Sequence, residues 1–125
     1  MKAIVKTNNA PAPIGPYNQA VWHNDTLFMS GQIAINPTDG ELIIDTIENE
    51  TEMVMKNIEG VLKSENLSFD NIIKCSIFIS DMDNFARINE VYGKYFTSNY
   101  PARECVEVAR LPKNVNVEIS VIAGR

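Results

Sequence analysis

Hydrophobic positions change their period several times along the chain, and each change marks an element. Two short runs, 19–23 and 26–30, flank Asn24-Asp25, a pair suited to a tight hairpin turn, and predict two adjacent strands. Ahead of them, Ala10-Pro11-Ala12-Pro13-Ile14-Gly15-Pro16 cannot donate ladder hydrogen bonds at its prolines, so an extended loop should lead into Tyr17. Asn36-Pro37-Thr38-Asp39-Gly40 signals a second turn, with 41–44 as a short strand after it.

From Asp45 the period lengthens. Asp45 and Glu48 are spaced like a capping box, and Ile47, Val54, Ile58, Val61 and Leu62 fall on one face, which predicts a first helix over roughly 46–65. The run 72–79 is β-branched, aromatic and too short for a typical helix, so it reads as a central strand. Phe85, Ile88, Tyr92, Tyr95 and Phe96 return to helical spacing and predict a second helix over about 82–97, with Asp81 at its cap.

Pro101 cannot extend that helix. Beyond it, Arg103, Cys105 and Glu107 alternate with Glu104, Val106 and Val108, and then Val115, Val117, Ile119 and Val121 alternate with Asn116, Glu118 and Ser120. The order of strands, helix, strand, helix and two strands implies an α+β fold, one mixed sheet with both helices on one side. Its other face is left open. Arg103 and Glu118 would both lie there if the two polar stripes point the same way, and such a half-polar face is either solvated or covered by a partner.

Length and composition narrow the classes. The 125 residues suit one domain spanning 1–125, and 45% hydrophobic with 22% charged residues is ordinary for a globular chain. A net charge of -5 leaves no basic footprint and speaks against nucleic acid as a partner. Cys75 and Cys105 both sit in apolar stretches and read as free thiols of a reducing compartment. His23 is the only histidine and no C-x-x-C or H-E-x-x-H occurs, so no bound metal is expected. The N-terminal residues lack a signal peptide's apolar core and no run approaches the ~20 apolar residues of a membrane span, which predicts a cytoplasmic location and no membrane partner.

Six positions invite a chemical reading. An arginine within a strand needs an anion matched to its fork, and for Arg103 that partner is either a carboxylate ligand or one of Glu104, Glu107 and Glu118. Glu118, on the polar stripe of an apolar strand, either orients and deprotonates a water or simply faces solvent. Tyr17 offers a hydroxyl from a rigid loop or is a core tyrosine with a wet tip. Ser30-Gly31 allows close approach of a ligand or marks a turn. Cys105 shares the stripe of Arg103, but with no imidazole nearby in sequence it reads better as a small hydrophobic filler than as a nucleophile.

Taken in register, Gly15-Pro16-Tyr17-Asn18-Gln19-Ala20, Leu27 through Ile33, Lys74 through Phe78, Phe85 with Asn89-Glu90-Val91-Tyr92, Pro101-Ala102-Arg103, and Leu111-Pro112 leading to Val117-Glu118-Ile119 resemble the RidA/YjgF family almost end to end. The resemblance implies a chorismate-mutase-like sheet backed by two helices, a homotrimer with sheet faces turned inward, and clefts shared between subunits. It implies cofactor-free hydrolysis of 2-aminoacrylate and 2-iminobutyrate-type enamine and imine acids to 2-keto acids and ammonia. On the matching positions, Arg103 would bind the substrate carboxylate and Glu118 would activate water. Tyr17 and Ser30 would complete the catalytic set, and Gly31, Asn89 and Cys105 would line the substrate cleft. Glu104 departs from the small residue usual after Pro-Ala-Arg and competes for Arg103 unless strand alternation turns it away. Two other functions stay open: a non-catalytic, small-carboxylate-binding or chaperone-like regulatory trimer, and an RNA endonuclease or translation inhibitor.

Overall fold

The computed structural model describes residues 1–125 and shows one six-stranded mixed sheet with two α-helices. The strands are β1 (Lys2–Val5), β2 (Ala20–His23), β3 (Thr26–Gln32), β4 (Ile72–Ile79), β5 (Ala102–Glu107) and β6 (Val117–Gly124), in the spatial order β1-β2-β3-β6-β4-β5. Only β4 and β5 run parallel. That pair is joined through α2 (Phe85–Gly93), as a parallel connection demands, whereas β2 and β3 meet across the Asn24-Asp25 turn, with Asn24 at φ 54°. The α+β architecture read from the sequence therefore holds.

Alternation decides which face is buried. Leu27 and Met29 on β3, Cys75, Ile77 and Ile79 on β4, and Val117, Ile119, Val121 and Ala123 on β6 all point to the helix side. There they join Val54, Met55, Ile58, Val61 and Leu62 of α1 (Ile47–Ser64) and Ile88 and Tyr92 of α2 in one apolar core. Removing this much apolar surface from water is the main force holding sheet to helices, at roughly 1.5–3 kcal/mol per fully buried large side chain. One acidic side chain lies inside as well. Glu50 is fully buried, and its carboxylate accepts hydrogen bonds from Asn116 N and Nδ2, both at 2.7 Å, and from Val117 N at 3.2 Å, tying α1 to the start of β6.

Several element ends differ from the expectations. The cap of α1 is Thr46, whose hydroxyl accepts from Asn49 N at 3.0 Å; Asp45 instead receives the Asn49 side chain, so no Asp45/Glu48 box forms. Glu48 turns outward to a bidentate pair with Arg87 of α2. The second helix is shorter than 82–97: Asp81 caps a 3-10 turn, Met82–Asn84, and beyond Gly93 the rings of Tyr95 and Phe96 pack on Phe69 with centroids 5.0 and 5.7 Å away. Tertiary aromatic packing had imitated helical spacing. The segment 41–44 is not a strand but a single bridge between Ile35 and Leu42, and the edge strand β1 has no counterpart in the sequence reading.

Candidate active site

The helix-free face of the sheet carries a cavity of about 360 Å³ where β3 departs from regular pairing with β6. Met29 pairs with Val121 but Gln32 with Ile119, so three steps on β3 oppose two on β6 and one residue is extra. Because Met29 and Gln32 both belong to the buried side, the extra residue leaves Ser30 and Gly31 together at the open face beside Glu118. A regular strand would have sent one of them into the core. The glycine is required by crowding, not by backbone angle: a Cβ on Gly31 would overlap Glu118 Oε2 and stand 2.8 Å from its carboxyl carbon.

Tyr17, Ser30, Gly31 and Glu118 all line this cavity. Burial alone pushes the Glu118 carboxyl above its ordinary range, the shift that suits a group meant to take a proton near neutrality. The Ser30 hydroxyl donates to Asn18 O at 2.6 Å, which leaves its oxygen free to accept. Tyr17 projects from the proline-rich loop with its hydroxyl accepting from Ile14 N at 3.3 Å. That loop is held by a residue the sequence reading did not single out: Gln19 accepts from Thr7 N at 2.8 Å and donates to the carbonyls of Thr7, Ala10 and Pro11.

Below the polar rim lies an apolar floor. Ile33 and Ile35 line the cavity and belong to a small second core with Leu111 and Val115, separate from the main one. Buried Asn57 of α1 fixes both, donating to Ile33 O at 3.1 Å and Ile35 O at 2.8 Å. These residues alternate like any strand end, so nothing in the sequence distinguishes them from ordinary core.

Arg103 is elsewhere. It pairs with Cys75 and Glu118 with Phe78, three residues apart on β4, so their side chains leave opposite faces of the sheet. The expectation that both occupy the open face is therefore corrected: the Arg103 stripe is the helix-side stripe of edge strand β5, and its guanidinium lies over α2. Its carbon centre is 5.0 Å from the Tyr92 ring centroid and 5.7 Å from that of Phe85, while Nη1 donates to Asn89 Oδ1 at 2.6 Å. Asn89, Tyr92, Tyr100, Pro101 and Arg103 border a second, open depression. Its arginine is held at one end by the Asn89 bond and stays exposed.

Glu104 points away from Arg103. The β4–β5 ladder runs without a break from Ala102 to Glu107, and alternation sends Glu104 to the open face, where it bonds Ser76 and pairs with Lys74 at 3.2 Å. Those partners hold its carboxyl below the usual range. The thiols behave as fillers: Cys75 is buried and Cys105 half-buried, and burial raises both, opposed at Cys75 by the Tyr92 hydroxyl and then Arg103, and at Cys105 by Arg103. No group of three or more His, Cys, Asp or Glu side chains is placed to hold a metal, and no helix is long and apolar enough to cross a membrane.

Known proteins share this fold over almost their whole length. A Rid-family protein of Yersinia pestis superposes with a TM-score of 0.97 at 46% identity over 100% of both chains. TdcF of Escherichia coli, solved with bound serine, does so at 0.93 and 42% over 98% of each. In sequence, the human 2-iminobutanoate/2-iminopropanoate deaminase is 37% identical, covering 98% of this chain and 90% of its own length. A RutC family protein of Pyrococcus horikoshii is 46% identical over 98% of both. The family described as Endoribonuclease L-PSP matches residues 7–124. With that span and these relatives, the chain belongs to the RidA/YjgF family.

Proposed function

We propose that the protein is a hydrolytic deaminase of 2-imino and 2-enamino acids, giving 2-keto acids and ammonia, and that it works as a homotrimer in the cytoplasm. The observation that carries this reading is the half-buried carboxyl of Glu118, raised by burial and set beside Ser30, Gly31 and Tyr17 in a cavity large enough for a small acid. Arg103 offers a carboxylate-binding fork backed by two aromatic rings. Identity to the human deaminase supports the same chemistry.

In the proposed reaction Arg103 grips the substrate carboxylate and Glu118 takes a proton from water as its oxygen attacks the imine carbon. The resulting carbinolamine has one new C–O bond. Its nitrogen then receives that proton back from Glu118, the C–N bond breaks, and ammonia leaves as the C=O forms and the hydroxyl proton passes to Glu118. Ser30 and Tyr17 hold the water and nitrogen by hydrogen bonds, while Asn89 and Cys105 border the arginine side of the cleft. A protonated imine is electrophilic enough to need no covalent enzyme intermediate and no cofactor.

A site with Arg103 and Glu118 on opposite faces requires a second copy of the chain to bring them together. The open face supports this assembly, since Ile4, Phe28 and Val106 are exposed on it, with Val21, Phe78 and Ile122 half-buried between them.

The test uses threonine dehydratase to generate the imine in the presence of semicarbazide. The protein should lower semicarbazone formation and speed keto acid release, and Arg103→Ala should abolish the effect while leaving the oligomer intact. No effect from folded protein sinks the enzyme reading. A light-scattering mass at the 14.0 kDa monomer sinks the shared cleft. RNA cleavage lost in Arg103→Ala would favour the nuclease reading instead, against the net charge of -5.

A further inference from the structure

We infer that Gly31 is a positioning residue: its missing side chain is the seat of the Glu118 carboxylate and fixes where the proposed base stands. This deepens, and rests on, the reading of Glu118 as the base. Three observations lead there. The backbone at Gly31 is not left-handed, since Gly40 is the one glycine with positive φ, so conformational freedom does not explain a glycine at this point. The three nearest atoms a Cβ would meet all belong to one side chain: Glu118 Oε2, then its carboxyl carbon at 2.8 Å and Cγ at 3.0 Å. Finally, the bulge presents Ser30 and Gly31 to the same side, so the glycine lies against the carboxylate while the serine lies beside it.

The nature of the overlap separates a positioning role from a structural one. What Gly31→Ala would displace is the free end of a flexible side chain and not backbone, so the fold can absorb the methyl by rotating Glu118. The carboxylate cannot then stay where it is. Rotation out of the crevice leaves it more hydrated and no longer aimed at the water it is to deprotonate. Displacement of an ångström is enough to cost orders of magnitude in rate where orientation supplies the catalysis. Hydration also returns the carboxyl toward its ordinary range, because burial is what raised it.

Three variants test this with imine hydrolysis followed across pH. Gly31→Ala should fold and assemble like the parent, lose at least about tenfold in kcat with KM within about twofold, and show the acid limb of kcat moved to lower pH. Glu118→Asp, one methylene shorter, should be impaired alone, yet Gly31→Ala/Glu118→Asp should lose much less than the product of the two single losses, because the shorter acid leaves room for the methyl. Strict multiplicativity in this cycle overturns the inference, as does a rise in KM alone with the acid limb unmoved, which would mean that the methyl merely obstructs substrate. Should Gly31→Ala fail to fold, Gly31→Ala/Glu118→Ala must fold, and a double variant that stays unfolded also overturns it. Failure of the underlying reading looks different: Glu118→Gln would then keep parental activity whatever Gly31→Ala does.

Discussion

Arg103 and Glu118 leave opposite faces of one sheet, on strands β5 and β6 that flank β4. Two inter-strand steps together with the three-residue offset along β4 put their backbones roughly 14 Å apart, and the Asn89 bond with the rings of Phe85 and Tyr92 commits the guanidinium to the helix side. Within one chain the arginine and the base do not converge. On the proposed deaminase reading, the site takes Arg103 from one subunit and Glu118 from its neighbour. Mixing inactive Arg103→Ala and Glu118→Gln subunits after partial unfolding and reassembly should therefore restore activity. With random association in a cyclic oligomer, about one quarter of the sites receive both intact groups, so recovery should approach that fraction of the parent. Zero recovery from verified mixed oligomers would place both groups in a single subunit.

Stability should respond to pH through Glu118 in the opposite sense from an ion-paired carboxylate. Its folded value lies above the ordinary 4.5, so its contribution is fully present below 4.5 and is lost as pH rises through the folded value. Glu118→Gln carries no such penalty. The variant and parent should melt together in acid below the ordinary value, and the variant should melt at higher temperature near neutrality, with the gain levelling off once the parent's carboxyl is ionised. A parent more stable than Glu118→Gln at neutral pH would contradict the burial of this group. Activity should move the other way, appearing as Glu118 ionises, so that stability and function oppose each other at one residue.

The fold was legible because alternation and the 3.6-residue period survive in 72–79, 47–62 and 117–121, all of which face one core. The site was legible only in its residue types. Whether Arg103 or Glu104 faced outward depended on the register of β5 against β4, and no local pattern records register. The bulge at Ser30-Gly31 was invisible for the same reason, since it is a mismatch between two strands and not a property of either. Gln19, Asn57, Ile33 and Ile35 carry no local sequence signal of their roles, although they fix the loop and floor of the cavity. Tyr95 and Phe96 misled in the other direction: they face Phe69 for packing reasons and extended the expected helix past its real end at Gly93.

The Arg103 fork should tolerate little change. Arg103→Lys keeps the charge but gives up bidentate geometry and the planar face that rests on Tyr92, and should lower kcat/KM by about a hundredfold. Asn89→Ala removes the 2.6 Å anchor of Nη1 and lets the guanidinium wander, with an expected loss of roughly tenfold, mostly in KM. Asn89→Asp should retain the anchor yet neutralise the arginine, so it should bind carboxylates worse than Asn89→Ala. If all three variants match the parent in steady-state kinetics on the same imine, Arg103 is not the carboxylate site.

Substrate preference should follow the cavity's floor. Beyond Glu118 and Ser30 the lining turns apolar through Ile14, Ile33, Ile35, Pro11 and Pro112, and about 360 Å³ is more than a methyl-bearing imine fills. No lysine or arginine lines this cavity, and Glu118 would repel a second carboxylate on the substrate side chain. Each methylene buried there is worth about 0.8 kcal/mol, or roughly fourfold in kcat/KM. Imines generated in place by an amino-acid oxidase from leucine should accordingly be hydrolysed at least about tenfold more efficiently than those from alanine, and those from glutamate least of all. Ile33→Ser should flatten the leucine advantage by putting a hydroxyl on the floor while leaving the alanine-derived imine nearly unaffected, because a methyl side chain does not reach it. Equal efficiency for the leucine- and alanine-derived imines in the parent would mean that the apolar floor lies outside the bound substrate, with the reacting carbon held nearer the rim of the cavity.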